Sequence, residues 1–511
     1  MMRIAMRTGL ILLTCCAALQ VPALAAPNKA QPLTEEDVHW LNRITYGIDG
    51  PTVARYQALG RKAFLEEQLR AGSESDPPQL TAALAQLDLL NEPLPQMLQD
   101  VDSENRRINT LPSEDDKQAA RKQLNDTAGK IVYETTKRHL LRSLYSPAQL
   151  REQMVWFWDN HFSVFQGKAN LRWSVADYEE HAIRPHALGN FRDLVIATLK
   201  HPAMLVYLDN AQSAGGKINE NYARELLELH TLGVNGGYSQ QDVQELARIL
   251  TGVGVNTQPN APKLKPEWQA LYMRDGAFEF NPARHDFGDK VFLGHQIRGS
   301  GWDEVEQAVD IIVNQPATAH FVSTKLALYF VSDDPPPALV DRMSKTFEKS
   351  HGDIAAVLRT MFGAKEFNAS LGTKFKDPMH YVVSAMRLAY NGKSVVNLKP
   401  VNNWLNALGE PLYGRLTPDG YGLRERDWAS SGQMSKRFEI ARAIGGGSAG
   451  LFDTEDGSPP MSFGFPMLSN RLFYDTIDAA LSPLARQALD KAASQAEWNA
   501  YLLASPDFMY R

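Results

Sequence analysis

The chain has 511 residues, 44% of them apolar, and a formal net charge of −6 that becomes −8 once Arg3 and Arg7 are removed. That length and apolar content suffice for a large buried core of one big domain or two to three smaller ones. A mildly acidic chain with both signs interspersed carries no electrostatic footprint for nucleic acid, which excludes that class of partner.

The first residues read as an export signal. Arg3 and Arg7 give a positive start, an apolar run follows, and Ala23-Leu24-Ala25 offers a small-x-small cleavage pattern. Cleavage after Ala25 is expected, since Pro27 stands badly placed for cleavage one residue later. The apolar run is short for a bilayer span and has no stop-transfer flank. Both cysteines, Cys15 and Cys16, lie inside this segment. The mature chain then has no thiol, so disulfides, a thiolate nucleophile, cysteine-ligated zinc and iron–sulfur clusters are excluded. A periplasmic or secreted location follows, with no membrane span after cleavage.

Residues 26–33 form a polar tether, and 34–511 read as a single large helical domain. Thr34-Glu35-Glu36-Asp37 is an N-cap with acids in the first turn. The stretch 71–130 is rich in polar residues and prolines and reads as a solvated helical excursion with loops. Helical periodicity then predicts helices over 131–144, 147–162, 174–184, 190–200, 217–232 and 239–252. Between 268 and 295 the pattern changes. Leu271-Tyr272-Met273 and Phe278-Glu279-Phe280 flank Arg274-Asp275-Gly276, a turn signal, and Val291-Phe292-Leu293 offers a third strand. Helices resume over 302–314, 316–331, 337–349, 353–363, 378–391, 399–407 and 431–444, and Gly445-Gly446-Gly447-Ser448 is a loop candidate. The fold class expected is mainly α, a large multi-helical body with a small β-hairpin insert.

The densest polar run is Asn219 to Gly233. On a straight helix Asn221, Arg224, Glu225 and Glu228 share one face, while Tyr222, Leu226 and Leu229 form an apolar stripe. Paired carboxylates beside an arginine suit general acid–base work. The local alternative is an Arg224–Glu228 ion pair with Glu225 solvated. His230 sits at the rim of the apolar face, and a straight helix cannot aim it and Glu228 at one metal ion, so no metal-ligand set is read here. His230 is therefore either a core histidine or part of the site.

Upstream, Trp156-Phe157-Trp158 lead into Asp159-Asn160-His161. Aromatic platforms suit sugar rings, and His161 is a candidate base or ligand. Arg184, next to a helix break at Pro185, is a candidate anion binder. Downstream, His285 and Asp286 stand on a loop leaving the predicted hairpin, although neighbours in extended chain point apart. Asp242, after Ser239, reads as part of a capping box. No nucleophile elbow, phosphate-binding loop or dinucleotide fingerprint occurs, so neither a nucleotide nor a nicotinamide cofactor is expected; a divalent metal remains open.

These strings together resemble the family of domain of unknown function 1800, found in large and often exported bacterial proteins. The resemblance runs through His39-Trp40-Leu41-Asn42-Arg43, Phe157-Trp158-Asp159-Asn160-His161-Phe162, Ile183-Arg184-Pro185-His186, Tyr207-Leu208-Asp209-Asn210, Asn219 to Gly233, Arg284-His285-Asp286-Phe287-Gly288, Gly409-Glu410-Pro411-Leu412-Tyr413 and Ser505 to Arg511. Two positions depart from the pattern: Asp159 stands where a histidine is expected, and Glu410 where a glutamine is expected. The family carries no established activity, so no site residue transfers from it. It implies one exported domain, and a second exported protein encoded nearby, of a sulfatase- or phosphatase-like family, as a partner in an envelope process.

Two functions fit. One is a periplasmic or secreted hydrolase-type enzyme on an envelope or extracellular glycan-like substrate, with Glu225, Glu228, Arg224, His161, His230, His285 and Asp286 as its chemistry. The other is a non-catalytic export or assembly partner whose polar strings are buried ion-pair networks. The export reading has a direct check: intact-mass measurement of the protein recovered from the periplasm or medium should begin at Ala26, and a mass that retains Arg3 and Arg7 overturns it.

Overall fold

The computed structural model describes residues 33–70, 75–455, 458 and 465–511. The expected signal over 1–25 and most of the tether lie outside the described residues. Everything described is mainly helical, with five short strands. Among the described residues no helix is long and apolar enough to cross a membrane.

Local capping explains where many helices begin. Thr34 and Asp37 form a capping box before Glu35–Ile44, and Ser239 with Asp242 does the same before Gln240–Ile249. The polar excursion runs directly into the core: one helix spans Glu114–Tyr145, 32 residues and about 48 Å long at 1.5 Å per residue. Ser113 caps it beside Glu114, Asp115 and Asp116, and its first half is solvated. From Ile131 onward it is buried, including Arg138 and His139. The predicted start at 131 therefore marks the point where the helix enters the core.

Two helices are buried nearly all round, as expected for segments at the centre of a large domain. Gln149–His161 buries Trp156, Phe157, Trp158 and Asp159 alike, and Pro378–Tyr390 buries all its residues except Ala389. Ser431–Gly445 lies close against Gln495–Ala504. A Cβ on Gly445 would sit 2.9 Å from the Ala500 nitrogen, so the approach requires glycine there. Gly445 thus ends a helix rather than opening a loop.

The β-insert is larger than the sequence predicts and divides in two. Strands β1 (Val253–Val255), β2 (Met273–Asp275) and β3 (Phe278–Phe280) form an antiparallel sheet in the order β1-β3-β2, with Val253 and Met273 both opposite Phe280. The hairpin turns at Gly276, φ +59°. Leu271 and Tyr272 stay outside β2, because a short helix Pro266–Gln269 precedes them. Val291 and Phe292 do not extend this sheet. They belong to β4 (Lys290–Phe292), which pairs with β5 (His295–Ile297). Leu293 and Gly294 turn that hairpin at φ +48° and +79°, and the Leu293 N–H is held by Asp242 Oδ1 at 2.7 Å.

Among the described residues several core cations have no side-chain carboxylate partner. Arg43 donates to the carbonyls of Phe330, Ser370 and Arg511. Arg511 donates to Tyr329 O and Gln153 Oε1 and lies 5.0 Å over the Tyr329 ring. Arg437 donates to Lys376 O between the rings of Phe375 and Tyr381. Carbonyl dipoles and aromatic faces meet these charges where a carboxylate does not.

Glu410 is buried nearby, accepting the Met379 N–H at 2.8 Å. Burial and then the Asp377 carboxylate push its carboxyl well above the usual range. A protonated glutamate is close in shape to the glutamine expected at this position. The folded state keeps a proton there that the unfolded chain releases, so stability from this group is present at acid pH and lost as pH rises. Glu410→Gln should raise the thermal midpoint by about 1–2 °C at pH 8 and by less at pH 5. An equal or lower midpoint at pH 8 in thermal unfolding would contradict the protonated reading.

Candidate functional site

The polar run that dominates the sequence folds as two kinds of helix. Asn219 caps Glu220–Glu225 by accepting the Asn221 N–H, and the chain then widens into a π-helix over Leu226–Thr231, with Thr231 Oγ1 bonded to Leu226 O. A wider turn changes the phase of every side chain beyond it, and such turns recur at functional sites. Here Glu225 and Glu228 stay half-buried at the surface, whereas His230 is fully buried. The anticipated Arg224–Glu228 pair is absent. Arg224 instead reaches Glu220 at 3.2 Å and Gln240 Oε1 at 2.8 Å, because Gln240 opens the next helix directly opposite. Burial, then Glu228, then Asp419 raise the Glu225 carboxyl above its ordinary range against the pull of Arg224.

Asp419 belongs to a long loop that lies over this run. Arg415 holds Asp419 through two bonds, at 3.1 and 2.8 Å, and Tyr207 donates to Leu416 O. A cleft of about 620 Å³ opens under the loop, lined by Lys325, Arg415, Asp419, Tyr421, Trp428 and Gln433. Among the described residues Lys325 has no ion pair or hydrogen bond. Burial lowers its amine, with Asp419 opposing, and its nitrogen lies 5.9 Å over the Phe321 ring.

Behind Lys325 the structure brings together His161 and His230. His161 Nε2 donates to His230 O at 2.9 Å, and the two rings are 6.0 Å apart. Both ring nitrogens of His230 are buried without a partner. Burial, then Lys325, depress its imidazole to about 3.

His285 and Asp286 go elsewhere and, as neighbours in extended chain, point apart. His285 Nδ1 meets Thr251 O at 2.7 Å and Nε2 meets Glu304 Oε1 at 2.8 Å, with Lys290 on the other Glu304 oxygen. Burial works against the Glu304 carboxylate, yet bonds from His285 and Lys290 hold it below its usual range. Asp286 pairs with Arg248 at 2.9 Å. This fully packed cluster fastens the β-insert to the helix Trp302–Val313, and neither residue joins the histidines at the cleft.

A second constellation escapes the sequence reading. His139, Asp159 and Glu179 each place one ligand atom within 4.8 Å of the others, and all three are buried. They come from three elements: the long helix Glu114–Tyr145, the helix Gln149–His161 and a second π-helix, Tyr178–Ile183. His139 Nδ1 lies 2.9 Å from Glu179 Oε2, and Tyr413 gives its single hydroxyl proton to the same oxygen at 2.5 Å. Arg184 grips Glu152 at 3.0 and 2.9 Å and Glu179 Oε1 at 3.2 Å. The anion that Arg184 binds is thus internal. Both oxygens of Asp159 and Nε2 of His139 are buried with no hydrogen-bond partner.

The sequence profile of the family described as "Protein of unknown function (DUF1800)" matches residues 39–510. The chain belongs to the DUF1800 family. No curated protein and no solved structure matches it.

In this DUF1800 protein Glu225 faces Asp419 of the cleft loop, with Arg224 and Glu228 on the same run, and His161 and His230 lie near Lys325; none of the five lines the cleft itself. The missed triad had one visible signal, the departure at Asp159; the pairing of His139 with Glu179, 40 residues apart, had none.

The neutral state of His230 gives a pH dependence of known sign. The unfolded imidazole gains a proton near 6.5 while the folded one stays neutral to about 3, so stability falls as pH drops below 6.5. By pH 5 this amounts to about 2 kcal/mol. His230→Gln should be less stable than the wild type at pH 7.5, with the gap narrowing by about 2 kcal/mol at pH 5 in denaturant titrations. A gap that is constant with pH would mean that His230 is solvated and titrates normally.

Proposed function

We propose that this protein is an exported hydrolase-type enzyme that cleaves an envelope or extracellular glycan-like substrate by carboxylate acid–base chemistry beside the loop-covered cleft. One observation carries the reading: Glu225 keeps its proton more tightly than an ordinary glutamate and has a second carboxylate, Glu228, one turn away. A half-buried carboxyl that holds its proton, beside a second carboxyl, is a recurring arrangement for acid–base work. Glu225 is the proton donor in this reading, and Glu228 activates water.

The cleft supports a polar, anionic sugar. Tyr421 and Trp428 supply aromatic surface, Gln433 a hydrogen-bonding amide, and Lys325 a positive charge with no internal partner. Arg415 is already engaged by Asp419, which leaves Lys325 and Arg424 among the cleft's lining cations for a substrate carboxylate or sulfate. His161 and His230 lie near Lys325 as neutral, buried groups, and the bond from His161 to His230 O ties the π-turn to the helix Gln149–His161.

A second reading rests on a different surface. Phe438 and Leu484 are exposed beside a largely apolar groove of about 550 Å³ between Ser431–Gly445 and Pro483–Asp490. Such a patch suits a protein partner and supports a non-catalytic assembly role.

Release of reducing ends from a panel of neutral, carboxylated and sulfated polysaccharides separates the two. Glu225→Gln should lower turnover at least about 100-fold, the usual worth of a general acid, with the thermal midpoint within about 2 °C of wild type. Lys325→Met should act mainly on KM and only for the charged substrates. Absence of turnover by the wild type across the panel, together with recovery of a stoichiometric exported partner lost on Leu484→Asp, would favour the assembly role.

A further inference from the structure

We infer that His139, Asp159 and Glu179 hold one divalent transition-metal ion of the zinc or manganese class, buried behind the cleft. This goes beyond the proposed hydrolysis and does not depend on it.

Four features converge. The first is spacing. Ligand bonds to zinc of about 2.0–2.2 Å put ligand atoms at most about 4.4 Å apart, so donor atoms within 4.8 Å of one another need only a small contraction. One imidazole and two carboxylates are a donor set of borderline hardness, suited to zinc or manganese.

The second is charge. Every other carboxylate in this part of the core has a cation. Glu152 has Arg184 and Arg151, and Glu180 has Arg142, Arg138 and Arg184. Glu179 has His139, Arg184 and, more distantly, Arg142. Asp159 has no ion pair among the described residues, and neither of its oxygens accepts a hydrogen bond. Tyr413 stands near it but makes its short bond, 2.5 Å, to Glu179 Oε2. A bare carboxylate in such surroundings is costly, even with Arg184 and Arg138 acting on it from a distance, and a metal ion or a proton would relieve it. An orphaned His139 nitrogen in the same cluster favours the ion, because a proton on Asp159 leaves that nitrogen unused.

The third is rigidity. Glu179 is fixed by Arg184 and Tyr413, and His139 is braced edge-on by Trp156 at a centroid distance of 6.0 Å. Outer partners of this kind orient metal ligands and are costly to remove. The fourth is enclosure. All three ligands are buried, so the ion would sit away from bulk solvent, with three protein ligands and the remaining position left open.

The position gives the ion a task. Tyr413 anchors one end of the cleft loop on Glu179. Asn160, next to Asp159, clamps the other end by accepting the Tyr421 N–H at 2.6 Å and donating to Tyr421 O at 3.1 Å. Trp156 stacks on Tyr421 from the same helix at 6.3 Å. An ion joining the three elements would set the position of both anchors.

Elemental analysis of the full exported chain, purified without chelator, tests this, with thermal unfolding alongside. The wild type should carry about one equivalent of zinc or manganese, and His139→Ala and Asp159→Asn should each retain under a tenth of it. Stripping with a chelator in mild denaturant should lower the wild-type midpoint by several degrees, and zinc or manganese, but not magnesium, should restore it. Glu225→Gln should keep its full metal content whatever its activity, so failure of the hydrolase reading leaves a distinct signature. Asparagine is close in shape to protonated aspartate. Asp159→Asn as stable as the wild type purified without chelator would assign a proton to the site and overturn the inference. Wild type below a tenth of an equivalent after incubation with zinc and with manganese, followed by dialysis, would overturn it whatever the variants do, as would unchanged metal content in Asp159→Asn.

Discussion

The arrangement of this core depends on Arg184. Its guanidinium takes both oxygens of Glu152 with one nitrogen and reaches Glu179 with another, all three side chains being nearly or fully buried. Burial alone would disfavour the charge, but Glu152, then Glu179, then Glu180 hold Arg184 firmly protonated. Removing one partner of such a group typically costs about 3–5 kcal/mol, since it leaves a charge stranded in low dielectric. The fork therefore fixes the helix Gln149–His161 against the π-helix Tyr178–Ile183. Through Glu179 it fixes His139 and Tyr413 as well. The cleft loop inherits its position from this chain of contacts, so a charge pair deep in the molecule governs a surface feature.

Both π-helices stand where polar side chains must leave the normal helical phase. In Tyr178–Ile183 the wider turn separates adjacent glutamates. Glu179 is fully buried on Arg184, His139 and Tyr413, whereas Glu180 faces Arg142 and Arg138 at the margin of a cleft. In Leu226–Thr231 it drives His230 inward while Glu228 remains at the surface. On a regular helix residues two apart already lie about 200° round from one another, and the wider turns re-aim these side chains by changing the phase of everything beyond them. The irregular turns are thus the local means by which a mostly apolar helical body admits charged groups.

Much of the fold was legible in the sequence because it rests on local rules. Apolar periodicity located the helices, Ser239 and Asp242 form the capping box read from their spacing, and Asp275-Gly276 marks a real hairpin. What stayed hidden is tertiary. Nothing in the run Glu225 to His230 announces a π-turn, so the straight-helix phase misassigned the partner of Arg224. β4 pairs with β5 rather than with the first sheet because Asp242, from a distant helix, holds Leu293 in a turn. His139 looks like any core histidine in a long helix until Glu179 arrives from 40 residues away. At the candidate site the sequence located the half-buried carboxylates and the buried histidines of the same region. It gave no reason to bring Lys325 or the loop carrying Asp419 to the same place.

The two departures from the family pattern show why an acid in a core cannot be judged by type alone. Glu410 and Asp159 are both buried carboxyls held well above their ordinary range, Glu410 by burial and Asp377, Asp159 by burial and Glu179. Glu410 accepts a backbone N–H at the start of the helix Pro378–Tyr390, while the neighbouring Asp377 takes the His380 imidazole. A proton satisfies Glu410, and its side chain does the work of an amide. Asp159 accepts nothing and shares its cluster with an unpartnered imidazole nitrogen. A proton would quiet the charge there without using either group, whereas a cation uses both. The same substitution of an acid for a neutral side chain thus ends in a hydrogen bond at one position and in a ligand at the other. The difference lies in the neighbouring groups and was out of reach of the sequence pattern alone.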